Sequence, residues 1–94
     1  MKTAHNEQAE ALAIEALIWL TQEPELMSRF LTLTGIDASA IRNAAREPGF
    51  LSGVLQFLLA HEPTLMRFCE ATETEPNSVV TAARQLPGGQ MSEF

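Results

Sequence analysis

Hydrophobic residues along this chain recur three and four positions apart, which is the spacing of one face of an α-helix. β-Branched residues do not alternate with polar ones over the length of a strand, and tyrosine is absent. The pattern therefore predicts an all-α fold, a compact bundle of five to six short helices. Glycine, proline and polar residues divide the chain into six such segments.

The first predicted helix runs from about residue 7 to 22 and is apolar almost all round. Its broad main face consists of Ala9, Leu12, Ala13, Ala16, Leu17, Trp19 and Leu20. Ile14 and Ile18 lie on the other side, beside Glu7. A helix of this kind is typical of a central position or of an interface.

Pro24 is expected to begin the second helix, because the N–H that proline lacks has no partner in a first turn. Gly35 ends it, since glycine readily adopts the left-handed cap conformation. Asp37 is expected to cap a short third helix by accepting a backbone hydrogen bond. The second helix would bury Leu26, Met27, Phe30, Leu31, Leu33 and Thr34, and the third Ala38, Ile41 and Ala45.

The fourth helix, from about Phe50 to His61, has the clearest pattern and is predicted to be the buried centre of the domain. Ser52 and Gln56 lie opposite its apolar side, which consists of Phe50, Leu51, Val54, Leu55, Phe57, Leu58 and Leu59.

Pro63 is predicted to open the fifth helix, and Asn77 or Ser78 to cap the sixth. The fifth would turn Leu65, Met66, Phe68, Cys69 and Thr72 inward, and the sixth Val79, Val80, Ala83 and Leu86.

An internal repeat relates the two halves. The run Glu23-Pro24-Glu25-Leu26-Met27 returns 39 residues later as Glu62-Pro63-Thr64-Leu65-Met66. Phe30, Thr34 and Ala44-Ala45-Arg46 return 38 residues later as Phe68, Thr72 and Ala82-Ala83-Arg84. We interpret residues 11–47 and 53–86 as two copies of one helical unit, packed on each other. Residues 1–94 form one domain, with an ordered core at about 7–86 and frayed tails at 1–6 and 87–94.

Composition narrows the classes of function. The 94 residues include 6 basic and 12 acidic side chains, a net charge of −6 that repels nucleic acid and anionic lipid. A single cysteine excludes an internal disulfide. No apolar stretch reaches the ~18–20 residues needed to span a bilayer. We therefore expect a cytoplasmic protein.

The residues that could carry chemistry do not form a recognisable site. His61 is predicted at a helix C-terminus, where the dipole favours a cation, and Cys69 lies on an apolar face. They could approach each other across the Glu62-Pro63 corner, but the sequence offers neither an orienting group nor an oxyanion site. No ligand spacing for a metal and no phosphate loop is present. We expect no catalytic, cofactor or metal site.

The segment from Phe30 to Arg46 suggests an alternative function. Its order of helix, glycine turn and helix suits a helix-turn-helix DNA-binding protein, with Arg42, Asn43 and Arg46 pointing outward towards phosphates or bases. The overall negative charge opposes this interpretation, and packing within a bundle produces the same pattern.

Residues 30–59 are also similar to a ubiquitin-associated-type three-helix module. The shared features are the Gly35-Ile36 loop, a short alanine-rich helix and a longer leucine-rich helix. The resemblance implies a protein-binding surface formed by Leu33, Gly35, Ile36 and the exposed side of the fourth helix. A role in packing alone is the other interpretation of these residues.

Across the whole chain, the order of segments resembles a family of small bacterial proteins known only as a domain of unknown function. The matching segments are Ala16-Leu17-Ile18-Trp19-Leu20, Glu23-Pro24, Arg29-Phe30-Leu31, Thr34-Gly35-Ile36-Asp37, Phe50-Leu51 and Leu55-Gln56-Phe57-Leu58-Leu59. The resemblance implies a compact helical protein near this length and supplies no reaction, cofactor or catalytic residue.

The surplus apolar surface at Ile14 and Ile18 carries the functional hypothesis. Contiguous exposed apolar residues commonly mark the site of a partner. We expect a non-catalytic module for protein interaction or self-association, whose partner is another protein or a second copy. Coverage by another segment of the same chain is the alternative for these two residues.

Overall fold

A computed structural model describes residues 3–47 and 49–86 of the chain, with side chains from Glu7 onward. These residues form six α-helices and one 3-10 turn, and none of them lies in a strand. The helices are α1 (Thr3–Thr21), α2 (Pro24–Thr34), α3 (Ile41–Ala44), α4 (Phe50–Leu59), α5 (Glu62–Thr72) and α6 (Pro76–Gln85), and the 3-10 turn Ala38–Ala40 leads into α3. The predicted all-α bundle of five to six short helices is confirmed.

Three helices, α1, α4 and α6, pack against one another and form the centre of the bundle. Helix α2 packs against α1, and α5 packs against α4 and α6. The contact between α1 and α6 is the most extensive of these. Both helices bury alanine-rich faces, which allow helix axes to approach closely. The buried residues of the two faces are Ala9, Ala13, Ala16 and Leu20 on α1 and Val79, Ala82 and Ala83 on α6.

Helix α4 lies at the centre of the core, as predicted. Val54, Leu55 and Leu58 are completely buried. Ser52, which we expected on the polar side, is buried as well, at 2% exposure. It lines a narrow cleft with Glu10 of α1 and Leu86, so that neighbouring segments cover this side of α4. Its hydroxyl accepts a hydrogen bond of 3.1 Å from Gln56 Nε2, which offsets the loss of contact with water.

Edge-to-face aromatic pairs join the outer helices to the core. Trp19 of α1 and Phe68 of α5 have ring centroids 5.6 Å apart. The ring centroid of Phe30 on α2 lies 5.9 Å from that of Phe50 and 5.4 Å from that of Phe57, both on α4. Such pairs add about 0.5–1.5 kcal/mol each beyond the area they bury.

Helices α2 and α5 end in the same way. Each has 11 residues, and the residue that follows, Gly35 or Glu73, adopts a left-handed conformation with φ of 74° or 58°. In the last turn, the hydroxyl of Thr34 donates to the carbonyl of Phe30 at 2.9 Å. Thr72 donates to Phe68 in the same manner, at 2.8 Å. These parallels support the internal repeat, which stays a prediction.

Several helix ends differ from the prediction. Helix α1 begins at Thr3 rather than near residue 7, so residues 3–6 are helical, and the division into an ordered core and tails stays a prediction. Helix α4 ends at Leu59, before His61. The side chain of Asp37 makes no capping hydrogen bond. Helix α6 begins at Pro76, which places Asn77 and Ser78 inside the helix rather than at its cap. Residues 1–2, Pro48 and the predicted tail at 87–94 lie outside the described residues.

Two large residues predicted to be inside lie on the surface. Leu33 is 70% exposed, because it lies in the last turn of α2, where no described element covers its side. Met66 is 41% exposed. At 100° per residue it lies well away from the centre of the buried stripe of α5, which Thr64, Leu65, Phe68 and Cys69 form instead.

Candidate interaction surface

The outward face of α1 carries a short apolar strip. Ile14 and Ile18 are 46% and 53% exposed and lie one helical turn apart. Ala11, one turn before Ile14, is also exposed. We call these three residues the α1 strip. Among the side chains that the structure describes, the other exposed large hydrophobic residues are single ones on other helices, Leu33 on α2 and Met66 on α5. Ile14 and Ile18 thus lie on the surface, as their position opposite the main stripe predicts, and their role in binding stays a prediction.

Acidic side chains surround the α1 strip. Glu7, Glu10 and Glu15 are all exposed. On a helix, Glu10 lies one turn before Ile14, Glu15 one turn before Ile18, and Glu7 one turn before Ala11. Lysine and arginine are absent from residues 7–21. The strip is therefore an apolar ridge flanked by carboxylates of its own helix, and Arg46 shares a cleft with one of them, Glu10.

A shallow groove lies beneath the Gly35-Ile36 loop, between the end of α1 and α2. Half-buried Met27, Leu31 and Ile36 contribute its apolar lining, and Thr21 and Asp37 also line it. The ubiquitin-associated-type resemblance implies a contact surface around Leu33, Gly35 and Ile36, but Leu33 does not line this groove. Met27 and Leu31 line it and also pack against the core, as their four-residue spacing predicts.

The three residues proposed for DNA contacts are all exposed. Arg42 and Asn43 lie in α3, and Arg46 follows it. Arg46 also lines the cleft that contains Glu10 and Glu47. Helix α3 has only four residues, about one turn, whereas recognition helices extend along the major groove. The arrangement offers two exposed cations near one turn of helix rather than a long recognition surface.

His61 and Cys69 occupy different positions from those of a catalytic pair. His61 is the N-cap residue of α5 rather than a residue at the end of α4, and its Nδ1 lies 2.8 Å from the hydroxyl of buried Thr64. Cys69 is 5% exposed. Burial raises the pKa of its thiol, which disfavours the nucleophilic thiolate. The histidine thus contacts Thr64, and the buried cysteine is suited to packing.

Within residues 3–47 and 49–86, no group of three or more histidine, cysteine, aspartate or glutamate residues is placed to hold a metal ion. None of the helices described combines the length and the apolar character of a membrane span.

Comparison with known proteins identifies a family. The model of the family described as "Protein of unknown function (DUF3572)" matches residues 6–89. The chain belongs to the DUF3572 family. This confirms the resemblance to a domain of unknown function. The DUF3572 match extends through all six helices, so the family corresponds to the whole bundle rather than to one of its halves. No curated protein and no solved structure matches the chain.

Proposed function

We propose that this DUF3572 chain is a non-catalytic, cytoplasmic module that binds another protein chain through the α1 strip. The observation that carries the proposal is the exposure of Ile14 and Ile18, one turn apart on a helix that also belongs to the core. Burying apolar surface gains about 25 cal/mol per Å², so two isoleucines supply a useful share of a binding free energy. Exposed apolar residues of soluble proteins that serve no contact are usually scattered singly.

The side chains with catalytic potential support a role without catalysis. Cys69 is buried, and its thiol has a raised pKa. His61 is exposed, but it contacts Thr64, which is itself buried. A nucleophile needs an accessible atom and an oriented base, and these three residues do not supply that combination. Cys69 is buried and is the one cysteine of the sequence, and the lack of a disulfide framework also suits a cytoplasmic location.

Two charge substitutions test the proposal. The variant Ile14→Glu/Ile18→Glu keeps the buried face of α1 and places carboxylates on the strip. Met66→Glu is the control, since it introduces a carboxylate at an exposed hydrophobic residue on α5, outside every candidate binding surface. Affinity capture from the cell lysate, read by quantitative mass spectrometry, should lose specific proteins in the first variant and keep them in the control. Identical sets of proteins in all three samples, with folded monomers by light scattering, would contradict the proposal.

Binding to duplex DNA through Arg42, Asn43 and Arg46 is the alternative with less support. The net charge of −6 and the four-residue α3 both weigh against it. It predicts binding that weakens steeply with salt and disappears in Arg42→Ala/Arg46→Ala. A gel-shift experiment at low salt with mixed-sequence duplexes distinguishes the two functions.

A further inference from the structure

We infer that the α1 strip binds a cationic amphipathic helix of another protein, in preference to a second copy of this chain. The inference rests on the proposed function, because it specifies the partner of the same surface. Two observations carry it: the geometry of the strip and the sign of the charges around it.

The geometry suits a helix. Ala11, Ile14 and Ile18 are spaced three and four residues apart, so the strip follows the axis of α1 for about two turns. The face is a convex ridge on a helix that is held on its opposite side by α4 and α6. A partner helix with apolar residues at the same spacing can pack along such a ridge, with its side chains between those of α1.

The charges select the partner. Glu7, Glu10 and Glu15 are exposed beside the strip, and residues 7–21 contain no lysine or arginine. Arg46, from the segment after α3, lines the same cleft as Glu10, so the charge that a partner meets at the strip is mainly that of Glu7 and Glu15. Lysine or arginine residues that flank the apolar face of a partner would lie near these carboxylates. Such complementarity accelerates association and disfavours partners of the wrong sign.

A second copy fits this surface poorly. A two-fold contact between α1 strips would bring the carboxylates that flank the strip in one protomer towards those that flank it in the other. Each copy also carries a net charge of −6, which adds long-range repulsion. The same negative surface opposes the anionic headgroups of a membrane.

A defined peptide probe tests the inference with the full chain. The probe is a synthetic, fluorescently labelled amphipathic helix with leucine on one face and lysine on the other. A matched peptide carries glutamate at every lysine position. Fluorescence anisotropy measures the Kd of each peptide at low and at physiological ionic strength. We expect the lysine peptide to bind, its affinity to fall with salt, and the glutamate peptide to bind at least about tenfold more weakly.

Three variants separate apolar contact from charge. Ile14→Ser/Ile18→Ser should weaken binding of the lysine peptide by about 100-fold, since two buried side chains are lost. Glu7→Gln/Glu15→Gln keeps the strip and should weaken binding by about tenfold. Glu62→Gln/Glu70→Gln removes the same charge from exposed positions on α5 and should leave the Kd within about twofold. Circular dichroism verifies that each variant is folded.

The outcomes distinguish failure of the inference from failure of the proposed function. If Ile14→Ser/Ile18→Ser binds the lysine peptide as the wild type does, or if the wild type does not bind it, the cationic-helix inference is overturned, whereas the proposed function is overturned only by unchanged affinity capture in Ile14→Glu/Ile18→Glu. If binding requires the isoleucines but the glutamate peptide binds equally well, only the cationic partner is overturned. A wild-type dimer that Ile14→Ser/Ile18→Ser dissociates would make a second copy the partner. Tighter peptide binding after Met91→Ser/Phe94→Ser would make another segment of the same chain the occupant, which also overturns the inference.

Discussion

Glu73 adopts the left-handed backbone conformation that Gly35 adopts 38 residues earlier, and each residue follows the last residue of an 11-residue helix. In both cases the backbone N–H of the residue bonds to a carbonyl four positions back, Leu31 or Cys69. The geometry of the helix end is thus the same, although the side chain differs. Glutamate pays a steric cost for this conformation that glycine does not, about 1–2 kcal/mol.

Glu73→Gly should therefore stabilise the fold. Glycine adopts the left-handed conformation without the steric cost, but it also has a greater chain entropy in the unfolded state, which offsets part of the gain. We expect a net increase in the free energy of unfolding of about 0.5–1 kcal/mol. Gly35→Ala is the converse control and should destabilise by about 1 kcal/mol. A Cβ at Gly35 would meet no atom within 4 Å, so its cost is conformational only. Urea unfolding followed by circular dichroism measures both, and a destabilised Glu73→Gly variant would contradict the prediction.

Phe68 is the residue of α5 on which packing depends most. It is completely buried and contacts Trp19 edge to face. Phe68→Ala should lower the free energy of unfolding by about 3–5 kcal/mol, because it leaves a large cavity between α1 and α5. Met66→Ala, two residues away and exposed, should cost less than about 1 kcal/mol. Equal losses in the two variants would mean that α5 does not bury this face.

The ion pair between Glu23 and Arg67 should contribute little to stability. It joins the corner after α1 to α5 with an N–O distance of 2.7 Å, but the side chains are 31% and 56% exposed. Solvent screens such a pair, and we expect a coupling of less than about 1 kcal/mol. A double-mutant cycle with Glu23→Gln and Arg67→Gln measures this coupling, which should decrease further at high salt. A salt-insensitive coupling above that limit would require a much less hydrated pair.

Cys69 should react slowly in the folded protein. Its thiol is buried, and burial raises its pKa, so both access and the thiolate fraction are reduced. Alkylation by iodoacetamide at neutral pH should be at least about tenfold slower than that of glutathione, and should reach the rate of a free thiol in denaturant. Rapid alkylation of the folded chain would favour a small thiol enzyme instead.

The raised pKa of Cys69 also makes stability depend on pH. The unfolded chain loses the thiol proton at a lower pH than the folded chain does. The protonated thiol therefore makes its full contribution to the free energy of unfolding below the ordinary pKa of cysteine. This contribution is lost as the pH rises through the raised pKa of the folded state. Urea unfolding of the wild type should give a lower free energy of unfolding at alkaline pH than at neutral pH. The part of this decrease that Cys69→Ala does not show is the contribution of the thiol.

The sequence predicts the elements of this fold better than their environment. Pro24 and Gly35 mark the bounds of α2 through local backbone chemistry, which a sequence reports directly. The burial of Ser52 and the exposure of Leu33 depend on which segments happen to lie against them, and periodicity along one helix contains no such information. The same limit applies to the groove at Met27 and Leu31, which requires the loop around Ile36 to be in place.

The α1 strip is a partial exception. Ile14 and Ile18 stand out from the sequence because they lie opposite a face that is already complete. Their exposure follows from the helical period once α1 is known to pack on its alanine side. The pattern along α1 does not tell which element packs on its alanine side, because one of the helices that do so, α6, comes more than fifty residues later in the sequence.

The most extensive helix contact in the bundle joins the first helix to the last. During synthesis α1 leaves the ribosome first, and the helix against which it packs is made more than fifty residues later. Until then the part of the α1 face that α6 covers is open, although α2 and α4 can already pack on the rest of it. Emergence of α6 from the ribosome is thus the event that closes this core, and chains terminated before α6 should be substrates for chaperones and proteases.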